Sequence, residues 1–150
     1  MDRCPCCNAR LRERTVCSRC KSDLSVLIST EQAAEFWFSK AMQYCLADNI
    51  EQSIAAIGVS LSLKKTQVAV VFREFIIQQQ CRDILDLLAE KQLLLAKKRL
   101  YTVRQLLPCS MQLQQLNSFS DYLLAQSVDH AHLLPHSVPE TLVDIFHYPM

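Results

Sequence analysis

Residues 4–20 read CPCCNARLRERTVCSRC. Cys4 and Cys7 make one Cys-x-x-Cys knuckle, Cys17 and Cys20 make a second, and nine residues separate them. Two such knuckles facing each other across a short loop supply four thiolates, the ligand set and spacing of a closed tetrahedral zinc site. Four protein ligands leave no open position for a substrate or an activated water, so a structural Zn2+ is expected to fold this segment and not to catalyse. Cys6 stands beside Cys7 and is geometrically awkward as a ligand. It is read as a spare, exposed thiol.

Each knuckle must turn tightly enough to point its amides at sulfur, and the residue after the second cysteine then takes positive φ. Asn8 and Lys21 hold those positions. Asparagine tolerates that conformation well and lysine less well. Leu11 and Leu24 follow the knuckles at matching offsets and are expected to form a small apolar plug. Residues 3–24 resemble the double-knuckle zinc ribbons, with Cys-Pro-x-Cys, a leucine, then Cys-x-x-Cys and Asp-Leu. A rubredoxin-like iron site is the alternative for four cysteines. It resembles this stretch less, because that family sets its knuckles much further apart.

Downstream, Ser29-Thr30-Glu31-Gln32 reads as a capping box, which predicts a helix over about residues 30–47 with Ser29 as its cap. Asp48 is expected to cap a second helix over about 50–61, lined by Ile50, Ile54, Ile57 and Leu61. Trp37, Ala41, Tyr44, Ser53, Ile57 and Ser60 stand at the offsets where a tetratricopeptide repeat has Trp, Gly, Tyr, Ala, Phe and Ala. The hairpin therefore resembles one such repeat of about 34 residues. Lys40 and Lys65 depart from the leucine and proline of that pattern, and the register does not repeat from Val68. A solenoid needs about three repeats, so this hairpin must pack on the rest of the chain.

No proline or glycine occurs between Thr66 and Leu107. One helix of that length would exceed ~60 Å, so a break is expected at Gln78–Gln80. That divides the stretch into helices over about 66–79 and 82–107, the second ended by Pro108. Ser110 should cap a fifth helix over about 111–127. Ser137-Val138-Pro139-Glu140 is a further capping box, opening a short helix to about Tyr148. The predicted fold is mainly α: a zinc ribbon over 1–24, a tetratricopeptide-like helical body over 25–128, and a tail over 129–150, five to six helices in all.

Composition narrows the function. Half of the 150 residues are hydrophobic, glycine occurs once, and the formal net charge is +1. A single glycine argues for helices and against phosphate-cradling loops or dinucleotide fingerprints. The longest apolar run, Val68–Phe72, is far short of the roughly 20 residues of a membrane span. Only three residues stand before Cys4, so no secretory leader is expected. The eight cysteines are accordingly read in a reducing, cytoplasmic setting as ligands or buried thiols. Residues 1–24 carry six Lys/Arg against three acids. Four thiolates and one zinc ion sum to minus two, which removes most of that basicity.

No catalytic set emerges. His130, His132, His136 and His147 lack a partner spaced to complete a metal site. Cys45, Cys81 and Cys109 are expected to be buried structural thiols. Lys97, Lys98, Arg99 and Arg104 form the densest basic patch, read as a solvated helix face because Asp83, Asp86 and Glu90 precede it. These features predict a non-enzymatic adaptor or assembly factor that binds protein partners or itself. The contact is expected beside Trp37 and Tyr44 or on the tail helix around Leu142 and Phe146. A nucleic-acid-binding zinc ribbon is the alternative, which the near-neutral charge disfavours.

Overall fold

The computed structural model describes residues 3–11 and 15–132, with side chains to residue 127. The expected tail helix, with Leu142 and Phe146, lies outside the described residues, as do His136 and His147. Among the described residues the chain forms six helices and no strand. None of these helices is long and apolar enough to cross a membrane.

Helix α1 spans Ser25–Leu46 and begins about five residues earlier than the capping box at Ser29 implies. Asp23 starts it: its Oδ1 accepts from the Ser25 amide at 2.9 Å, and that amide holds its carboxyl below the usual range. Ser29 is already inside the helix, where its hydroxyl donates to the Val26 carbonyl. A hydroxyl that can bond its own helix does not mark an N-terminus. Helix α2 spans Ile50–Leu63. Asp48 is not its cap. Asp48 takes a left-handed φ of 56° to reverse the chain, and Asn49 caps by accepting from the Gln52 amide at 3.3 Å.

Small residues bring α1 and α2 together. Ala34, Ala41, Ser53 and Ser60 are all buried. Ser53 Oγ donates to the Ala41 carbonyl and Ser60 Oγ to the Ala34 carbonyl, both at 2.8 Å. Two hydroxyls seven residues apart thus tie one helix to carbonyls seven residues apart on the other. This satisfies both groups where water is excluded. At the open end, Lys64 Nζ lies 2.5 Å from Glu31 and holds that carboxyl below the ordinary range.

Helix α3 runs unbroken over Gln67–Ala89, capped by Thr66. The expected interruption at Gln78–Gln80 does not occur. Ile76, Ile77, Gln80, Cys81, Ile84 and Leu88 are buried, so the inward spacing continues through the glutamines. Gln80 is only 1% exposed and donates to Asp83. The reversal comes at Glu90–Gln92, where Lys91 takes φ 59°. Helix α4 is therefore short, Leu93–Thr102, and a 3-10 turn over Arg104–Cys109 contains Pro108. Helix α5 spans Met111–His132, and Ser110 Oγ accepts from the Leu113 amide as expected of its cap.

The core joins all five α-helices and the 3-10 turn through Ala41, Ile54, Ile57, Ile76, Ile84, Leu100, Val103, Leu106 and Leu113. Burial of each large aliphatic side chain here is worth roughly 1.5–3 kcal/mol. The single glycine, Gly58, lies inside α2, and a Cβ added there meets nothing within 4 Å. Gly58→Ala should therefore raise stability by about 0.5–1 kcal/mol in urea titration. A decrease would place an unseen contact at that position.

Candidate metal centre

Each knuckle is built by the same backbone bonds. Cys4 N donates to the Ala9 carbonyl at 2.8 Å and Cys17 N to the Ser22 carbonyl at 3.0 Å. Asn8 N returns to the Cys4 carbonyl and Lys21 N to the Cys17 carbonyl, at 2.8 and 2.9 Å. Asn8 and Lys21 take φ of 59° and 62°, as the turn requires. Antiparallel bridges, Arg3 with Arg10 and Val16 with Asp23, close the two knuckles. Leu11 and Leu24 are 4% and 3% exposed and pack with Cys4, Cys17 and Ile28. The plug inferred from the matching offsets is present, and Ile28 of α1 joins it.

The four sulfurs of Cys4, Cys7, Cys17 and Cys20 all lie within 4.8 Å of one another, a grouping that could hold a metal ion. Across the knuckles Cys4 Sγ lies 3.6 Å from Cys20 Sγ and Cys7 Sγ 3.5 Å from Cys17 Sγ. Cys6 is exposed and outside the group, as expected of a spare thiol.

Without a cation these thiols divide in acidity. Burial pushes Cys4 up to about 12, against the pull of the Cys7 and Cys6 amides. The Ser22 hydroxyl, then the Ser22 amide, bring Cys20 down to about 6. The Cys20 and Arg19 amides lower Cys17. At Cys7 the Ala9 amide pulls down, but burial and the Cys17 and Cys20 sulfurs leave the thiol raised. In metal-free chain, alkylation at Cys20 should therefore rise with pH through about 6 and then level off. Alkylation at Cys4 should keep rising past pH 9. Peptide-resolved labelling with iodoacetamide checks this, and equal labelling of Cys4 and Cys20 at pH 7 would contradict it.

The other candidates fall in different places. Trp37 and Tyr44 are half-buried against the core, whereas Phe36, next to Trp37, is 55% exposed. Cys81 is buried, which pushes its thiol up, and Cys45 is half-buried. Cys109 is exposed, contrary to expectation, because the 3-10 turn carrying Pro108 ends there and turns it outward. Three members of the basic patch are paired, not along one helix but with acids on α3, α5 and α2. Arg99 meets Asp83 at 3.1 Å, Lys97 meets Asp121 at 2.6 Å, and Arg104 lies 3.9 Å from Glu51. Lys98 lines an open cleft of ≈ 390 Å³ with Asp83, Asp86, Leu87, Glu90 and Arg99.

Sequence reading missed the exposed apolar face of α1 and α3. Val68, Val71 and Phe75 are more than half exposed. Phe72 stacks with Phe75 at 6.4 Å and meets Phe38 of α1 edge-on at 5.7 Å. The spacing 68, 71, 75 was available as a signal, but that stripe reads equally well as core. Comparison with protein-family models, curated proteins and solved structures finds no match to this chain.

Proposed function

We propose that the chain is a non-catalytic interaction module, an adaptor or assembly factor, carrying one structural zinc on Cys4, Cys7, Cys17 and Cys20. Zinc suits the donors: four thiolates at about 2.3 Å from a tetrahedral ion stand about 3.8 Å apart, close to the 3.5 and 3.6 Å separations of two cross-knuckle pairs. The module is read as a zinc ribbon and the α1–α2 hairpin as tetratricopeptide-like. The small contact residues Ala41, Ser53 and Ser60 support the second reading. So does the Phe38–Phe72 pair, whose partners stand 34 residues apart, about one such repeat.

The observation that carries the interaction reading is the aromatic face of α1 and α3. Contiguous exposed apolar patches on soluble proteins mark partner sites. Val68, Val71 and Phe75 are exposed there, and Phe75 stacks on Phe72, which with Phe38 is half-buried and ties this face to the core. Trp37 and Tyr44, half-buried on α1, are proposed as part of the same contact. The tail around Leu142 and Phe146 is proposed as a second contact. A Val68→Asp, Phe75→Asp chain should keep its helical circular dichroism and melt within a few degrees of the parent. It should lose the partner, or the self-association, that the parent shows in sedimentation and co-purification. A parent that is monomeric at high concentration and co-purifies with nothing removes the reading.

The nucleic-acid alternative rests on Arg3, Arg10, Arg19 and Lys21, all exposed around the knuckles. Binding through phosphates weakens steeply with salt. Affinity for single or double strands is expected to stay within the non-specific range of about 10⁻⁴–10⁻⁶ M at physiological salt. A tighter, salt-sensitive complex lost on replacing Arg3, Arg10 and Arg19 by alanine would put this alternative first.

A further inference from the structure

We infer that Cys7 is a modification site, the first of the four ligand sulfurs to be attacked by hydrogen peroxide when zinc is in place. The inference rests on the zinc reading above. The knuckles are related by a shift of thirteen residues, which carries Cys4 onto Cys17, Cys7 onto Cys20 and Leu11 onto Leu24. In each, the first cysteine is buried and accepts two amides: those of Cys6 and Cys7 at Cys4, those of Arg19 and Cys20 at Cys17. The second cysteine stands nearer solvent and accepts one amide, from Ala9 at Cys7 and from Ser22 at Cys20.

The repeat breaks at Ala9 and Ser22. The Ser22 hydroxyl lies 3.2 Å from Cys20 Sγ and donates to it when the sulfur is a thiolate. Ala9, at the matching position, has no hydroxyl to offer Cys7. With zinc bound all four sulfurs are thiolates, so their reactivity is ordered by access and by the donors that hold their charge. Cys4 and Cys17 are shielded by burial and by two amides each. Cys20 is the more exposed of the outer pair, but its charge is held by a hydroxyl as well as an amide. Cys7 combines access with the fewest donors. Hydrogen bonds to charged groups are the strong ones, and attack on an electrophile must give up part of each.

The reaction balances within the module. Cys7 sulfur attacks one peroxide oxygen; the S–O bond forms, the O–O bond breaks and hydroxide leaves. Cys17 Sγ, 3.5 Å away, then attacks the Cys7 sulfur; the S–S bond forms and a second hydroxide leaves. Two thiolates have lost two electrons and the peroxide has been reduced to two hydroxides. Only Cys4 and Cys20 would remain as thiolates to hold zinc, too few for a closed site, and the plug of Leu11, Leu24 and Ile28 would lose the ion that assembles it.

The test uses the full chain in a Cys6→Ser background, which removes the neighbouring free thiol. Metal content is measured first, then one equivalent of hydrogen peroxide is added. Zinc release is followed with a chromogenic chelator, and linkages are mapped by mass spectrometry, where Cys109 falls in a separate peptide. The Cys7–Cys17 disulfide should form first and in step with zinc release. Ala9→Ser should slow both by about tenfold, the worth of one hydrogen bond to a charged group. Ser22→Ala should open a second route through Cys20 and Cys4. A Cys4–Cys20 disulfide forming first in the parent, or an unchanged rate in Ala9→Ser, overturns the inference and leaves the zinc reading standing. A chain that binds no zinc before peroxide is added overturns both.

Discussion

A Cys17→Ser chain should be purified without zinc and with residues 3–24 unstructured, while its helical circular dichroism stays close to that of the parent. Structural zinc contributes ~10–16 kcal/mol to small Cys-rich modules, far more than the plug can supply. Among the described residues, the segment is otherwise held by Leu11, Leu24, Ala9 and Ile28 and by the bonds of two tight turns. The helical core depends on none of these side chains, so the loss should stop within the first turns of α1. Elemental analysis reads the metal and amide exchange reads the extent of unfolding. Retained zinc, or collapse of α2 to α5 along with the knuckles, would contradict this expectation.

The second large effect is expected at Ile57. Its side chain is 1% exposed on the face of α2 that the Ser53 and Ser60 hydroxyls hold against α1. Because those bonds fix the distance between the helices, the site cannot collapse around a void. Ile57→Ala should therefore cost about 2–5 kcal/mol. In a chain of this size that lowers the melting temperature by on the order of 10 °C. Ile57→Val should cost only about 1 kcal/mol. Urea titration measures both. A loss below about 1 kcal/mol for alanine would show that the α1–α2 seam relaxes.

What sequence reading recovers here depends on how local the signal is. The cysteine cluster is legible because four ligands at fixed spacing define a site almost without tertiary context, and the matching leucines follow from the same repeat. Ala41, Ser53 and Ser60 are legible as a helix contact because small side chains at those offsets serve little else. The helix ends are harder. This chain reverses without glycine, at Asp48 and Lys91, so the usual marker of a left-handed residue is missing. Three consecutive glutamines look like a break, but glutamine is a good helix former, and Gln80 is placed inward because the 76, 77, 80, 84, 88 spacing demands it. Phe72 and Phe75 look like core in a one-dimensional pattern. Only the packed structure distinguishes a stripe facing α1 and solvent from one facing the interior.

The start of α1 has a mechanical consequence. Leu24 belongs to the plug, Ser25 is the first helical residue, and Ile28 packs back onto the plug. The knuckle and the helix therefore share their residues, with no swivel between them. Helix α1 has 22 residues and is about 33 Å long. From Ala34 onward the helix is pinned to α2 by the Ser53 and Ser60 hydroxyls, so only its first turns can move with the knuckles. A change at the cysteines would therefore be felt through Leu24 and Ile28 and absorbed before the first seam contact at Ala34. The cysteine module is thus rooted in the helix itself, and that root ends where the α1–α2 seam begins.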